Sequence, residues 1–173
     1  MRGGRWPAVA AGLIALLAGC GSSPDTAETQ APGNGPSRPA ASPSAQDGAV
    51  VAYLAMWDDT VAAARTSDVD HPRLDDHAEG DALALLKFVM QGHAEEGQVA
   101  RGAPRHDVEV VESETDRREL RDCMDDREWL MYDRGGELVN DTPGSRGLVD
   151  ATVERQRRQW VVTDLVMHGA ATC

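Results

Sequence analysis

The chain has 173 residues and a formal net charge of -12, with 29 acidic residues against 17 Lys and Arg. A chain this acidic repels nucleic acid and anionic lipid headgroups, which excludes DNA and RNA as partners. Its length fits one domain of ordinary size preceded by shorter N-terminal segments.

The first 19 residues have the three parts of an export signal. Arg2 and Arg5 precede an apolar run over residues 8–18. This run is too short for a permanent span, which needs about 20 apolar residues. Residues 17–20, Leu-Ala-Gly-Cys, resemble the lipobox of bacterial lipoproteins. The resemblance implies diacylglycerol on the Cys20 sulfur, cleavage before Cys20, and anchoring on the extracytoplasmic face of the cell membrane. An ordinary signal peptide that contains a cysteine is the alternative.

The segment after Cys20 has the composition of a tether. Residues 21–46 contain no Leu, Ile, Val, Met or aromatic residue, and Pro recurs through them. Such a segment cannot bury enough apolar surface to offset its ordering entropy. We therefore predict that residues 20–46 are disordered, with ends roughly 30 Å apart, and that a single domain occupies residues 47–173.

Three helical segments are predicted in the first half of this domain. Apolar residues at three- and four-residue spacing predict a helix of about 18 residues, with Ser44 and Asp47 as a capping box at its start. Residues 71–77 predict a short helical turn. A further helix is predicted over residues 81–96, with Gly97 as its C-terminal cap. The apolar stripe of the first helix is Val50, Leu54, Trp57, Val61 and Ala64.

From residue 108 onward the apolar pattern changes to period two, which predicts strands. A polar turn at residues 157–158 separates the last two strands. The final strand is apolar on both faces, and we therefore place it centrally in the sheet. Helices followed by antiparallel strands predict an α+β fold with three N-terminal helices packed on a curved antiparallel sheet. The predicted strands lie at 108–110, 120–123, 129–132, 149–154 and 160–167.

The two cysteines that remain after Cys20 form an even pair in an exported chain. Disulfides form and persist in that setting. A bond between Cys123 and Cys173 would close a loop of about 50 residues and stabilise the fold by roughly 4 kcal/mol. A pair of free thiols is the alternative.

Short motifs distributed over residues 50–173 resemble a known group of proteins. The pattern is similar to small secreted lipoproteins of high-GC Gram-positive bacteria with an NTF2-like, or cystatin-like, domain. The resemblance implies three helices against a strongly bent antiparallel sheet, which together form a cone. It implies no particular activity, because that fold carries isomerases, dehydratases and non-catalytic modules. The motifs are 52–57 (Ala-Tyr-Leu-x-Met-Trp), 71–74 (His-Pro-Arg-Leu), 129–132 (Trp-Leu-x-Tyr), 141–144 (Asp-Thr-Pro-Gly), Asp122 with Cys123, and Cys173.

Two carboxylates are candidates for catalysis inside such a cone. Asp164 interrupts the apolar last strand, and strict alternation places it on the same face as Val162 and Val166. If that face lines the cavity, a partly desolvated Asp164 could act as a general base. Asp122 is the second candidate. The alternative for both is a structural carboxylate that faces solvent or is paired with an arginine or a backbone amide.

The other polar clusters favour solvated turns over metal sites. His71 and His77 are six residues apart and project in different directions, and the adjacent carboxylates Asp75 and Asp76 diverge. The acidic run over residues 122–128 lacks the glycine and the ligand spacing of a calcium loop. We therefore expect no metal and no cofactor. His93 lies near the end of its helix and could touch the mouth of the cavity.

The leading functional hypothesis is a non-catalytic, lipid-anchored extracytoplasmic module that binds a protein partner or a small apolar ligand. The alternative is a cofactor-free isomerase or dehydratase that uses Asp164 or Asp122 as general base. A purely structural or immunity-type surface protein is a third possibility that the sequence cannot separate from the first. Contact with the membrane is expected through the lipid alone.

The anchor is tested by replacing Cys20. We expect Cys20→Ser to abolish incorporation of labelled palmitate, because the sulfur that accepts the lipid is gone. Cys123→Ser should retain the label, since it removes a cysteine that is not in the lipobox. Palmitate on the Cys20→Ser protein, or a mature N-terminus other than residue 20 by mass spectrometry, would contradict the assignment.

Overall fold

The structure is a computed structural model that describes residues 47–139 and 144–173. The predictions for the signal segment, for the tether and for Ser44 lie outside these residues, as does most of the 141–144 motif. The elements are α1 (Gly48–Ala64), α2 (Gly80–Glu95), β1 (Gln98–Arg101), β2 (Val108–Ser113), β3 (Arg117–Asp125), β4 (Leu130–Asp133), β5 (Arg146–Gln156) and β6 (Gln159–Ala170).

Helix α1 begins at Gly48, and Asp47 is not the second member of a capping box as the sequence predicts. Asp47 is itself the N-cap residue, and its Oδ1 accepts a hydrogen bond from the backbone N–H of Ala49 at 2.9 Å. Four of the five residues of the predicted apolar stripe are buried, and Leu54 is the exception, since it is exposed while its neighbour Tyr53 is fully buried. Helix α2 matches its prediction closely and ends at Glu95, and Gly97 follows the C-cap residue with a φ of +69°, which suits a glycine cap.

The described residues contain two helices, so the prediction of three is wrong. Residues 71–77 form isolated turns with i to i+3 bonds, such as Leu74 N–H to the His71 carbonyl at 3.0 Å. The chain then leaves this region in extended form to bond the edge of β6. The backbone of Val162 donates to the His77 carbonyl and accepts from Glu79 N–H, both at 2.9 Å. These bonds prevent the turns from continuing as a helix.

The predicted α+β fold with a curved antiparallel sheet is confirmed. Four strands pair antiparallel in the order β2-β3-β5-β6, and β1 pairs with β4 in a separate ribbon. Register shifts in β2–β3 and β5–β6 bend the sheet. The helices pack on one face, and the alternating residues Val149, Ala151 and Val153 of β5 are almost completely buried beneath them.

The position of β6 differs from the prediction, because β6 is an edge strand and β5 lies inside the sheet. One face of β6 is covered, since Val162 and Leu165 are buried, whereas Val166 is 48% exposed. The turn between β5 and β6 is where the sequence places it. Arg157 and Arg158 both have positive φ, as a two-residue hairpin turn requires.

The predicted bond between Cys123 and Cys173 is present, with Cα atoms 5.9 Å apart and 50 residues between the cysteines in sequence. Cys123 lies on β3 opposite Leu148 of β5. Cys173 follows β6, which pairs with β5 and not with β3, so the disulfide fastens the end of the chain to a strand that is not a neighbour of β6.

We expect the double variant Cys123→Ser, Cys173→Ser to lose about 4 kcal/mol of unfolding free energy, because the unfolded chain is no longer cross-linked. Urea unfolding at neutral pH measures this difference. Reduced wild-type protein should unfold like the variant. Equal stability of the oxidised and reduced wild type would show that the bond contributes nothing.

Candidate functional site

A cavity of about 260 Å³ lies between the two helices and the strands. Five structural elements, α1, α2, β3, β4 and β6, supply large apolar side chains to its wall, and α1 and β1 also supply small residues. Four of the six methionines of the chain face it. Methionine side chains adapt readily to the shape of a ligand. The lining residues are Trp57, Thr60, Ala64, Leu85, Leu86, Val89, Met90, His93, Ala100, Met124, Asp126, Trp129, Met131 and Met167.

Two tryptophans form the aromatic part of this wall. The rings of Trp57 and Trp129 meet edge to face, with centroids 6.1 Å apart. Trp57 is only 2% exposed. The Nε1 atoms of both indoles are buried. The Trp57 indole lies close enough to Tyr53 to act on the pKa of Tyr53 as a hydrogen-bond donor. Nε1 of Trp129 has no acceptor among the described residues, and because buried N–H groups normally have one, this donor is available to a ligand.

Three polar side chains reach the cavity: Thr60, His93 and Asp126. The hydroxyl of Thr60 is already used, because it donates to the Met56 carbonyl at 2.8 Å. His93 lies in the last turn of α2, where the sequence suggested that it could touch the cavity mouth. Asp126 follows β3, and its Oδ1 accepts a hydrogen bond from Ser145 N–H at 2.5 Å.

Asp126 and the residue before it differ in their electrostatic surroundings. Asp125 is paired with the guanidinium of Arg127 at 2.5 Å, and this hydrogen bond holds the pKa of Asp125 well below its usual range. No ion pair among the described residues involves Asp126. The carboxylate at the cavity is therefore uncompensated, whereas its neighbour is neutralised by a cation.

Asp122, a predicted catalytic residue, is fully buried at the centre of a hydrogen-bond network. Its Oδ2 accepts from the Tyr53 hydroxyl at 2.9 Å and from His106 Nδ1 at 2.6 Å. Its Oδ1 accepts from the backbone N–H of Asp107 at 2.8 Å. A carboxylate can only accept, so the contact assigns a proton to Nδ1 of His106.

The network adjoins the cavity without opening into it. None of Tyr53, His106 and Asp122 belongs to the cavity wall. Trp57 is common to both regions, since its ring lies 5.5 Å from that of His106 and also lines the cavity. Burial, and next the negative charge of Asp122, raise the pKa of Tyr53 far above that of a free tyrosine. The network therefore packs against Trp57 on the side away from the cavity and helps to hold this part of the aromatic wall in place.

Asp164 is the other predicted catalytic residue. It does not lie on the same face of the sheet as the buried residues of its strand. Val153 pairs with Val162 and Thr152 with Asp164, so Thr163 is an extra residue in β6. This bulge reverses the alternation. Val162 and Leu165 are buried, whereas Asp164 is only half-buried and does not line the cavity. The inference that Asp164 shares a face with Val162 is therefore wrong.

The 71–77 segment contributes to a second buried contact rather than to a metal site. Asp59 of α1 is almost fully buried, and its Oδ2 lies 2.7 Å from Nδ1 of His77. A guanidinium nitrogen of Arg73 lies 2.5 Å from Oδ1, out of line for a hydrogen bond. In the part of the chain that the structure describes, no three His, Cys, Asp or Glu side chains are grouped so as to hold a metal ion.

Sequence reasoning missed the roles of His106, Trp129 and Asp126. The link from Asp122 to His106 spans 16 residues, and that from Asp126 to Ser145 spans 19. Hydrogen bonds between residues so far apart in the chain cannot be predicted from a local sequence pattern. Trp129 was identified only as part of a strand and a family motif. Its aromatic side chain beside an acidic run was the one available signal.

No family model matches the chain, and no curated protein matches it either. Among solved structures, the chain is similar to an NTF-2-like protein of unknown function from Shewanella oneidensis MR-1, with 12% identity and a TM-score of 0.44 over 68% of this chain and 97% of the other. It is also similar to a protein of unknown function with a cystatin-like fold from Nostoc punctiforme, with 8% identity and a TM-score of 0.45 over 71% and 92%. A third is a candidate scytalone dehydratase from Novosphingobium aromaticivorans, with 13% identity and a TM-score of 0.43 over 69% and 84%. With TM-scores under 0.5, these similarities carry no information on ligand or activity.

The raised pKa of Tyr53 predicts a loss of stability in alkali. Above pH 10.0, the value for a free tyrosine, the unfolded chain releases this proton while the folded chain keeps it. The free energy of unfolding should therefore fall by about 1.4 kcal/mol for each further pH unit on account of Tyr53.

Tyr53→Phe should remove this part of the slope, and Tyr132→Phe, which replaces the other tyrosine of the chain, should leave it in place. Denaturant unfolding gives the slope of the unfolding free energy against pH. It is measured between pH 9 and pH 11, at intervals on the order of a few tenths of a pH unit. Equal slopes for the wild type and Tyr53→Phe would contradict the burial of an uncharged tyrosine.

Proposed function

We propose that this protein is a lipid-anchored extracytoplasmic binding module whose NTF2-like domain takes a small apolar ligand in the cavity between its helices and sheet. The cavity carries this proposal. Its wall is mainly apolar and aromatic, and a few polar groups lie on it, which is the usual make-up of a small-molecule site. Its volume of about 260 Å³ suits a ligand below drug size, since pockets for drug-sized molecules measure about 300–1,000 Å³.

The positions of the two carboxylates that were predicted to be catalytic favour a binding role over catalysis. A general base must come within hydrogen-bond reach of the proton that it removes. Asp122 lies outside the cavity wall, and both of its oxygens accept hydrogen bonds from the protein. Asp164 lies outside the wall as well. A cavity occupant would therefore meet neither of them.

The anchor in this proposal rests on residues 17–20 and on the composition of the segment that follows. No helix in residues 47–139 and 144–173 is long and apolar enough to cross a membrane. A diacylglyceryl group with its two chains gives stable attachment where one chain would be marginal. The tether would hold the cavity away from the headgroups, so that the ligand enters from the aqueous side.

Ligand binding is tested on the mature chain, residues 20–173, as the Cys20→Ser variant, so that neither acyl chain nor detergent competes for the cavity. The probe is neopentylbenzene, a small neutral hydrocarbon. We expect saturable shifts of the indole N–H signals of Trp57 and Trp129 in ¹H–¹⁵N NMR spectra. The Trp160 signal should not move, because Trp160 is not part of the wall.

A matched pair of variants on α2 tests the location. Val89 lines the cavity and is 40% exposed, so Val89→Trp should obstruct the mouth and weaken binding by about tenfold or more. Gln91→Trp adds the same side chain at an exposed position outside the wall and should bind like the wild type. Absence of shifts at Trp57 and Trp129, or equal binding by both variants, would overturn the proposal.

A further inference from the structure

Asp126 is the one acidic residue among the described residues that line the cavity, and its surroundings there are mainly apolar. The lining residues of the cavity include no Lys and no Arg, and His93 is the other ionisable group besides Asp126. The nearby acids on the same turn are each matched by an arginine: Asp125 by Arg127, and Glu128 by Arg105, both at 2.5 Å. Asp126 alone of these three has no such partner among the described residues and is also the one that faces the cavity.

The position of Asp126 is fixed before any ligand arrives. Its backbone N–H donates to the Ser145 carbonyl at 3.0 Å, and its carboxylate accepts from Ser145 N–H. Its own carbonyl accepts from Trp129 N–H at 2.9 Å, which ties it to the aromatic wall. A β-carbon at position 144 would lie 2.7 Å from the Asp126 carbonyl and closer still to the carboxylate. Gly144 is therefore required for the chain to approach so closely.

We infer that the ligand of the cavity is a small lipophilic cation, such as an alkyl- or aryl-substituted ammonium. This inference rests on the proposed function and gives the chemical class of its ligand. The carboxylate of Asp126 supplies the counter-charge, and the indoles of Trp57 and Trp129 supply electron-rich faces that attract ammonium groups. The methionine and leucine side chains then bury the apolar part of the ligand.

The charge balance supports this class over a neutral or anionic ligand. A carboxylate held beside apolar surface loses hydration, and a cation at the same place restores favourable electrostatics. An anion would be repelled by Asp126 and by the whole chain, whose net charge is -12. The same overall charge concentrates cations near the protein and speeds their association.

Two probes of the same shape isolate the effect of charge. Benzyltrimethylammonium has a quaternary nitrogen where neopentylbenzene has a quaternary carbon, so the two molecules differ in charge and hardly in size. In the same NMR titration of the mature Cys20→Ser chain, we expect the cation to bind about tenfold more tightly than the hydrocarbon. Both probes should shift the Trp57 and Trp129 signals.

Substitution of Asp126 assigns the preference to one side chain. Asp126→Asn keeps an oxygen to accept the Ser145 N–H bond, so the turn is preserved while the charge is removed. We expect this variant to lose the tenfold preference and to keep its affinity for neopentylbenzene. Asp125→Asn lowers the net negative charge equally but lies outside the wall, and it should keep the preference.

The possible outcomes separate this inference from the proposed function. If the wild type binds both probes equally, or if Asp125→Asn and Asp126→Asn lose the preference alike, the cationic class is wrong and the apolar cavity site stands. If neither probe shifts the Trp57 and Trp129 signals, the proposed function fails and this inference fails with it. Loss of affinity for the hydrocarbon in Asp126→Asn would show that Asp126 shapes the cavity rather than selecting charge.

Discussion

The rest of the domain depends on the buried carboxylate of Asp122. It joins three separate parts of the chain: Tyr53 in α1, His106 and Asp107 in the segment before β2, and its own strand β3. A buried charge is tolerable only when it is fully hydrogen-bonded, and the removal of one partner from such a site typically costs about 3–5 kcal/mol. The network thereby fixes the rotation of α1 on the sheet, and with it the indole of Trp57, which is one wall of the cavity.

The same constraint explains which parts of the fold could be predicted from the sequence. Periodicity located α1, α2 and the alternating strand β5, because burial on one face is a local property of the sequence. It misjudged Leu54 and Tyr53, because the hydrogen bond from Tyr53 to Asp122 rotates the centre of the buried face toward Tyr53, although the rest of the predicted stripe stays buried. A partner 69 residues away along the chain decides that rotation.

The strand errors have a related origin. A pattern of apolar residues reports which faces of a strand are covered but not how many neighbouring strands it has, so β6 was placed inside the sheet. The bulge at Thr163 shifts the alternation of buried and exposed residues by one position within β6. No residue type in the sequence indicates this bulge. The candidate site was predicted only in outline for this reason. The sequence left open whether the fold holds a cavity and offered His93 either as a residue at its mouth or as a partner of the helix dipole. Asp126 belongs to an acidic run that was predicted to be solvated, yet it lines the cavity, and Ser145 holds it there.

The first residues of the domain meet the sheet at two points. The carboxylate of Asp47 bonds Arg118 on β3 at 3.3 Å, and a β-carbon on Gly48 would lie 2.7 Å from the ring of Trp160 on β6. The guanidinium of Arg118 also lies over that ring, 5.1 Å from its centroid. Tension applied to Asp47 from the N-terminal side therefore loads this clamp at the first turn of α1. Such a pull would have to break an ion pair and an aromatic contact together before the helix could unwind one turn at a time.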